Sequence, residues 1–365
     1  MKIAIIGTVG VPARYGGFET LAEQLAKGIK PEAHKLVIYC QRSAYPELNR
    51  GEQFEGHQRV LLPLRANGPA SMVHDMLAMT HAAFIAKVDA LLVLGYSGAW
   101  FLPMVRLMRP RMQVVTNIDG MEWRRDKFGR AARALLRGLE WFATRFSTEV
   151  IADNVALVDL ARNLHQIEPR LIAYGGDHTL VAPKAFVKYE PGYFLSIARI
   201  EPENNCHLIL DACEAAEVRL IFIGNWDANG YGRALKLRFS NSRFLTLLDP
   251  VYDLQILAAV REHSIGYIHG HSVGGTNPSL VEALFHTDKL LSYDCVFNKS
   301  TLSGVGSYFK NSDDLFNLLR YRNSGLIEKN ELAELREKYK WTHVISSYLK
   351  IFESDADLNT PGMAA

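Results

Sequence analysis

Two stretches combine residue types that can hold oxyanions and hydroxyls. The first, GTVGVPARYGGFET (residues 7–20), follows the apolar run KIAII and spends Gly7, Gly10, Gly16 and Gly17 before a helical pattern begins. A glycine-rich turn between a buried strand and a helix points backbone N–H groups at an anion, and the helix adds the positive end of its dipole. The second, HGHSVGGTNPSLVEALFH (residues 269–286), again leaves a strand through glycines. Asn277 suits the cap and Pro278 the first position of the next helix. Glu282 then falls within a turn and a half of the helix start, where a carboxylate accepts two hydrogen bonds from sugar or ribose hydroxyls.

A third stretch, SIARIEPENN (residues 196–205), places Arg199 at a strand end, where a guanidinium binds phosphate in bidentate fashion. Each feature also has a plain structural reading. The glycines could form a tight turn, Glu282 could be a surface acid favoured by the helix dipole, and Arg199 could close an interdomain ion pair. His269 and His271 form an HxH pair; strand-end histidines beside a phosphate are the preferred reading over a metal site.

Known phosphate fingerprints do not fit. GxGxxG is absent, the second strand ends in YCQRS with no acid for a ribose, and there is no GxxxxGK[ST]. A nicotinamide enzyme or P-loop NTPase is therefore disfavoured. The long first loop instead reaches out, and the Gly16–Gly17 pair allows close backbone approach to a bulky ligand.

These residues need a scaffold, and the sequence supplies one. Short apolar runs (KIAII, KLVIYC, DALLVL, QVVTNI) alternate with amphipathic stretches such as FETLAEQLAKGI, which predicts a parallel sheet covered on both faces. The series restarts with YFLSIA, RLIFIG, FLTLL, IGYIHG and KLLSYD. The expected organisation is an α/β protein of two doubly wound, Rossmann-like domains, residues 1–175 and 176–339. A late helix over 340–353 is expected to pack back on the first, with a flexible tail at 354–365. Two such domains hold a ligand between them.

The 365 residues are 48% hydrophobic and 22% charged, with a net charge of +2, which gives no nucleic-acid-like excess. Cys40, Cys206, Cys213 and Cys295 make no CxxC pair and read as buried thiols of a reducing compartment. No apolar run is long enough to span a bilayer, so a cytoplasmic protein is expected. Arg130, Arg133 and Arg137 share one helix face beside Leu135, Leu136, Leu139, Trp141 and Phe142. Such a helix either lies on an anionic membrane or presents a solvated face over a packed one.

Together, GTVGVPARYGGFET, NIDGMEWRRDKFG, AYGGD, ARIEPENN and HSVGGTNPSLVEA resemble the GT-B, family 4 retaining glycosyltransferases. More narrowly they are similar to bacterial rhamnosyltransferases that build surface polysaccharide on a lipid-diphosphate acceptor. The resemblance implies two Rossmann-like domains facing across a cleft, the first on the acceptor side and the second binding a nucleotide-diphosphate sugar donor. It implies no cofactor and no metal, and the chain's one Asp-x-Asp, Asp355 and Asp357, lies in the tail. It places the protein peripherally on the inner face of the plasma membrane, with a lipid-linked saccharide as acceptor and dTDP-rhamnose as the expected donor.

By the same resemblance Gly16 and Gly17 cover the donor diphosphate and Arg199 binds it. Glu282 holds the ribose as the second Glu of an ExxxxxxxE motif. Pro250, Val251 and Tyr252 pack the nucleobase, and Gly275, Thr276 and Asn277 lie beside the donor phosphate or sugar. Gly274 stands where the first Glu is expected. Asn204, next to Asn205, stands where a Lys usually partners the Arg, so backbone N–H groups must carry more of the phosphate charge. Asp119 and Glu122 are the acids placed to orient or deprotonate the acceptor hydroxyl, Asp119 first; they also read as a turn residue and an arginine partner. The rival expectations are a sugar-nucleotide epimerase of the same fold and a non-catalytic assembly subunit.

Overall fold

The computed structural model describes the chain apart from residues 15, 49–51, 119, 121, 125–127, 185–188, 322 and 359–365, and the side chains of 122 and 354–358. It divides into two compact units. One is Met1–Ala173 with the C-terminal segment from Thr342; the other is Tyr174–Trp341.

The first unit carries β1 (Lys2–Ile6), β2 (Lys35–Gln41), β3 (Gln53–Phe54), β4 (His57–Leu62), β5 (Ala90–Leu94), β6 (Gln113–Asn117), β7 (Glu149–Ala152) and β8 (Arg170–Leu171). They form one sheet in the order β3-β4-β2-β1-β5-β6-β7-β8. Every pairing is parallel except that of β3 with β4. The second unit carries β9 (Tyr193–Ile197), β10 (Leu220–Ile223), β11 (Leu245–Leu248), β12 (Ser264–His269), β13 (Leu290–Tyr293) and β14 (Ser307–Phe309), in the order β11-β10-β9-β12-β13-β14. All its pairings are parallel.

The strands form here because their residues are apolar without alternation. All five residues of β5, ALLVL, are buried, as a strand covered on both faces requires. Ile3 pairs with both Leu36 and Ala90 in the centre of the first sheet. Phe194 pairs with Leu220 in the second, above a core that includes Phe222, Trp226, Ile268 and Phe309.

Both sheets reverse their winding once, between β1 and β5 and between β9 and β12. In an open parallel sheet the loops on either side of such a reversal diverge, and the crevice outside the carboxyl ends of the strands receives ligand.

The last helix, Trp341–Leu358, begins in the second unit and continues in the first. There the Gln113 amide donates to the Ile351 carbonyl (2.9 Å) and the Asn117 amide to the buried Tyr348 hydroxyl (2.9 Å). Cys40, Cys206 and Cys213 are buried free thiols, while Cys295 is half-buried. Burial pushes the Cys40 thiol up to about 11 and Cys206 to about 12.

Candidate functional site

Two of the sequence motifs meet at the β9/β12 reversal. Arg199 to Asn205 follow β9, and Gly270 to Asn277 follow β12. The Asn205 amide donates to the Gly270 carbonyl (2.9 Å), and the Ser272 hydroxyl and backbone N–H both donate to the Glu203 carbonyl (2.7 and 3.1 Å). The Tyr267 hydroxyl bridges the strands themselves, donating to the Ile197 carbonyl (3.1 Å) and accepting its N–H (3.3 Å).

Within this frame Arg199 is exposed, and its guanidinium has no hydrogen-bond or ion-pair partner among the described residues. Asn204 takes a different part from the cation it replaces. It is buried, and its amide donates to the Arg199 carbonyl (2.7 Å), fixing the turn that presents Arg199.

Gly274 has φ +118°, a conformation an L-residue adopts only under strain, and a Cβ there would meet nothing closer than Asn277 Oδ1 at 4.0 Å. The loop is thus shaped for glycine where the resemblance expects glutamate. Gly275 and Thr276 are buried. Asn277 occupies the cap of the helix Pro278–Leu284, with Pro278 in its first turn, but its side chain makes no capping hydrogen bond.

Glu282 projects from that helix into an ion pair with Arg261, which is 4% exposed, while the Glu282 side chain is 19% exposed. It is therefore neither a free surface acid nor an unengaged acceptor. His178 Nε2 lies 3.7 Å from its other oxygen. The Trp341 indole, which can only donate, bonds His178 Nδ1 at 2.9 Å, so the neutral ring carries its proton on Nε2 and directs it at Glu282. Nearby, burial first and then the positive charge of Arg261 hold the His286 imidazole down at about 4. Arg261, His178 and Trp341 carry no motif in the sequence; Arg261 sits in a helical stretch that reads as ordinary amphipathic surface.

His269 and His271 stack in parallel, with ring centroids 4.4 Å apart. His269 is 1% exposed with no partner on either ring nitrogen among the described residues, and burial followed by the charge of His271 keeps it well below the usual range. Such a ring stays neutral. Val251 is half-buried and Tyr252 is 61% exposed, both on the loop after β11.

In the first unit the glycine loop is tied down by its own helix, Gly17–Gly28. Glu19 accepts from the Val9 N–H (2.7 Å) and the Thr8 hydroxyl (3.2 Å), and Glu23 from the Ala13 N–H (2.5 Å). These N–H groups are committed to carboxylates, which moves any anion to the far end of the loop. There Gly16 has φ +115°, and a Cβ on it would lie 2.1 Å from Glu19 Oε2. Gly17 opens the helix. Asp119 and the side chain of Glu122 lie outside the described residues.

The basic helix spans Arg130–Phe146. Arg130 and Arg137 are exposed and Arg133 is half-buried. A recess of about 470 Å³ is lined by Trp123, Arg133, Ala134, Arg137, Gly138 and Trp141. Trp123 is pinned by its indole to the buried Glu140 (2.9 Å), and Arg124 and Arg137 stand over its ring at 5.2 and 5.5 Å. Leu135 (53%), Trp141 (49%) and, on the helix Leu102–Met108, Met104 (47%) and Leu107 (77%) are exposed.

The Arg261–Glu282 pair predicts a stability effect separate from any ligand. Glu282→Gln leaves a buried guanidinium without its counter-charge and should lower the unfolding free energy by about 2–3 kcal/mol. The readout is the urea midpoint of the second unit; an unchanged midpoint would show that the pair contributes nothing.

Residues 1–177 match a family described as a domain of unknown function, DUF1972. No curated protein matches the chain. Among solved structures it is similar to a sucrose-phosphate synthase from Thermosynechococcus elongatus (14% identity, TM-score 0.81, covering 98% of this chain and 100% of that one). It is also similar to HepE from Anabaena, solved with UDP and glucose (14%, 0.73, 97% and 100%). A third is the lipopolysaccharide outer core galactosyltransferase WaaB in its apo form (12%, 0.64, 97% and 100%). The topology of both sheets and these likenesses agree: the chain has the GT-B fold, two α/β units each built on a doubly wound parallel sheet.

Proposed function

We propose that the protein is a glycosyltransferase that takes a sugar from a nucleoside-diphosphate sugar and transfers it, with retention, to a saccharide hydroxyl. Arg199 carries this reading. An exposed guanidinium without a partner among the described residues, fixed by Asn204 at the carboxyl end of β9 and tied to a glycine loop, is a site for a diphosphate. HepE, of similar fold, was solved in complex with UDP and glucose, which supports a nucleotide-sugar donor.

In this reading Glu282 receives the donor ribose on the oxygen edge left by Arg261, and Val251 and Tyr252 pack the base. Gly16, Gly17, Gly275, Thr276 and Asn277 bring backbone N–H groups to the diphosphate and sugar. Asn204 and Asn205 serve by holding the turns. With Arg199 and these N–H groups neutralising the leaving diphosphate, the reaction needs no metal. The incoming hydroxyl attacks the anomeric carbon on the face the diphosphate leaves. Its proton passes to the departing phosphate oxygen, with Asp119, then Glu122, as the acids that orient it. The donor is dTDP-rhamnose and the acceptor a lipid-diphosphate-linked saccharide of surface polysaccharide synthesis. Arg130, Arg133 and Arg137, with Leu135 and Trp141 exposed beside them, rest on the inner face of the membrane.

Two outcomes test this reading. Arg199→Ala should weaken donor binding at least about tenfold, the scale of a lost charge-assisted hydrogen bond, while leaving the melting temperature unchanged because no protein partner is lost. Calorimetric titration with dTDP-, UDP- and GDP-sugars reads it, and equal affinity in the variant rejects the diphosphate site. Changing Arg130, Arg133 and Arg137 together to Gln should reduce co-sedimentation with anionic vesicles by about 1 kcal/mol per charge. Equal binding of parent and variant rejects that face.

A further inference from the structure

The first unit holds a polar cluster that the donor site does not use, at its own β1/β5 reversal. β5 ends at Leu94, and the turn Gly95–Gly98 follows. The turn lies against the helix Ser71–Thr80 so closely that a Cβ on Gly98 would sit 2.4 Å from the Asp75 Cβ. Asp75 is 1% exposed, and its two oxygens are both occupied. Oδ2 accepts the hydroxyl of Ser97, and Oδ1 lies 3.2 Å from Nδ1 of His74, which is wholly buried. His74 Nε2 has no partner among the described residues.

This arrangement fixes what Ser97 can do. A buried carboxylate needs donors, so it holds the one proton the serine has. Ser97, half-buried at the mouth of the turn, is left with lone pairs only. An oxygen that can only accept selects a donor, and the donors of a carbohydrate are its hydroxyls. The place is also right. The turn adjoins the glycine loop, since a Cβ on Gly7 would lie 2.0 Å from the Leu94 carbonyl oxygen and one on Gly95 would lie 3.5 Å from Phe18. Both loops stand at the carboxyl ends of strands that flank a winding reversal, where a doubly wound sheet receives its ligand.

We propose that Ser97 accepts a hydrogen bond from a hydroxyl of the saccharide acceptor, and that Asp75 and His74 are positioning residues that keep its proton turned away. The inference rests on the glycosyltransferase reading and adds a residue of the first unit that reads the acceptor. It calls for no change in the residues of the second unit proposed to bind the donor.

The experiment uses the full chain with a panel of nucleoside-diphosphate sugars, and methyl α-L-rhamnoside, methyl β-D-galactoside and methyl β-D-glucoside as acceptor probes. Ser97→Ala should raise the acceptor KM about tenfold, the loss of one hydrogen bond to a polar ligand. It should leave donor affinity, donor hydrolysis by water and kcat at saturating acceptor within about twofold. Ser97→Thr, which keeps the hydroxyl, should restore the parent acceptor KM. Asp75→Ala should raise acceptor KM as Ser97→Ala does, because no acceptor at 75 then holds the serine proton; the serine pair decides if that buried variant does not fold. An unchanged acceptor KM in Ser97→Ala overturns the inference alone, as does a parallel loss of donor affinity, which marks a structural turn. A parent chain that consumes none of the donors overturns the reading of function and this inference with it.

Discussion

The second unit is organised by one topological constraint: β9 lies between β10 and β12, so the winding of its sheet reverses there and all its strands still end on one edge. Whatever follows β9 and β12 is delivered to the same place from opposite directions. The Tyr267 hydroxyl clamps the two strand ends, and the Asn205 amide and Ser272 clamp the loops beyond them. Arg199 gains its position from these bonds and from Asn204, not from contacts of its own. A guanidinium held by its backbone, with no partner among the described residues to be released, is preorganised for an anion.

The two departures from the glycosyltransferase pattern have structural counterparts. At 274 the backbone takes a φ that glutamate would adopt only under strain. At 204 a short buried amide replaces a long cation and is used to shape the turn. Both changes reduce the charge aimed at a ligand, and the Asn204 amide also ties its turn. Glu282 is drawn into the same economy of charge. Paired with Arg261 and faced by the His178 N–H, it is fixed in rotamer and keeps only part of its acceptor capacity for a ligand.

The fold was legible because its signal is local. Continuous apolar runs such as KIAII and ALLVL, separated by amphipathic stretches, announce parallel strands, and glycines after β1 and after β12 mark one loop at each reversal. Arg199, Gly274 and Glu282 could be singled out as candidates because they sit in the loops after β9 and β12 or one turn beyond them. Arg261, His178 and Trp341 could not, because their meaning arises from contacts across long stretches of chain, such as Trp341 to His178. The same holds for Glu19, whose acid reads as a helix-start residue but bonds back to Thr8 and Val9. Ser97 and Asp75 stand 22 residues apart on a turn and a helix, and no spacing rule joins them. Conversely, Arg130, Arg133 and Arg137 read as one uniform face, whereas Arg133 is half-buried in a recess and Arg137 stands over Trp123.

The central claim is that this GT-B chain holds a nucleoside diphosphate through an anion site at the β9/β12 reversal. Titration calorimetry of the unmodified protein with thymidine, dTMP and dTDP, and with UDP and GDP, tests it most directly. The claim requires that at least one nucleoside diphosphate binds, and that affinity rises about tenfold or more from nucleoside to diphosphate as Arg199 and the loop N–H groups engage the added phosphates. Failure of all three diphosphates to bind, or equal affinity for thymidine and dTDP when dTDP is the one that binds, would contradict it.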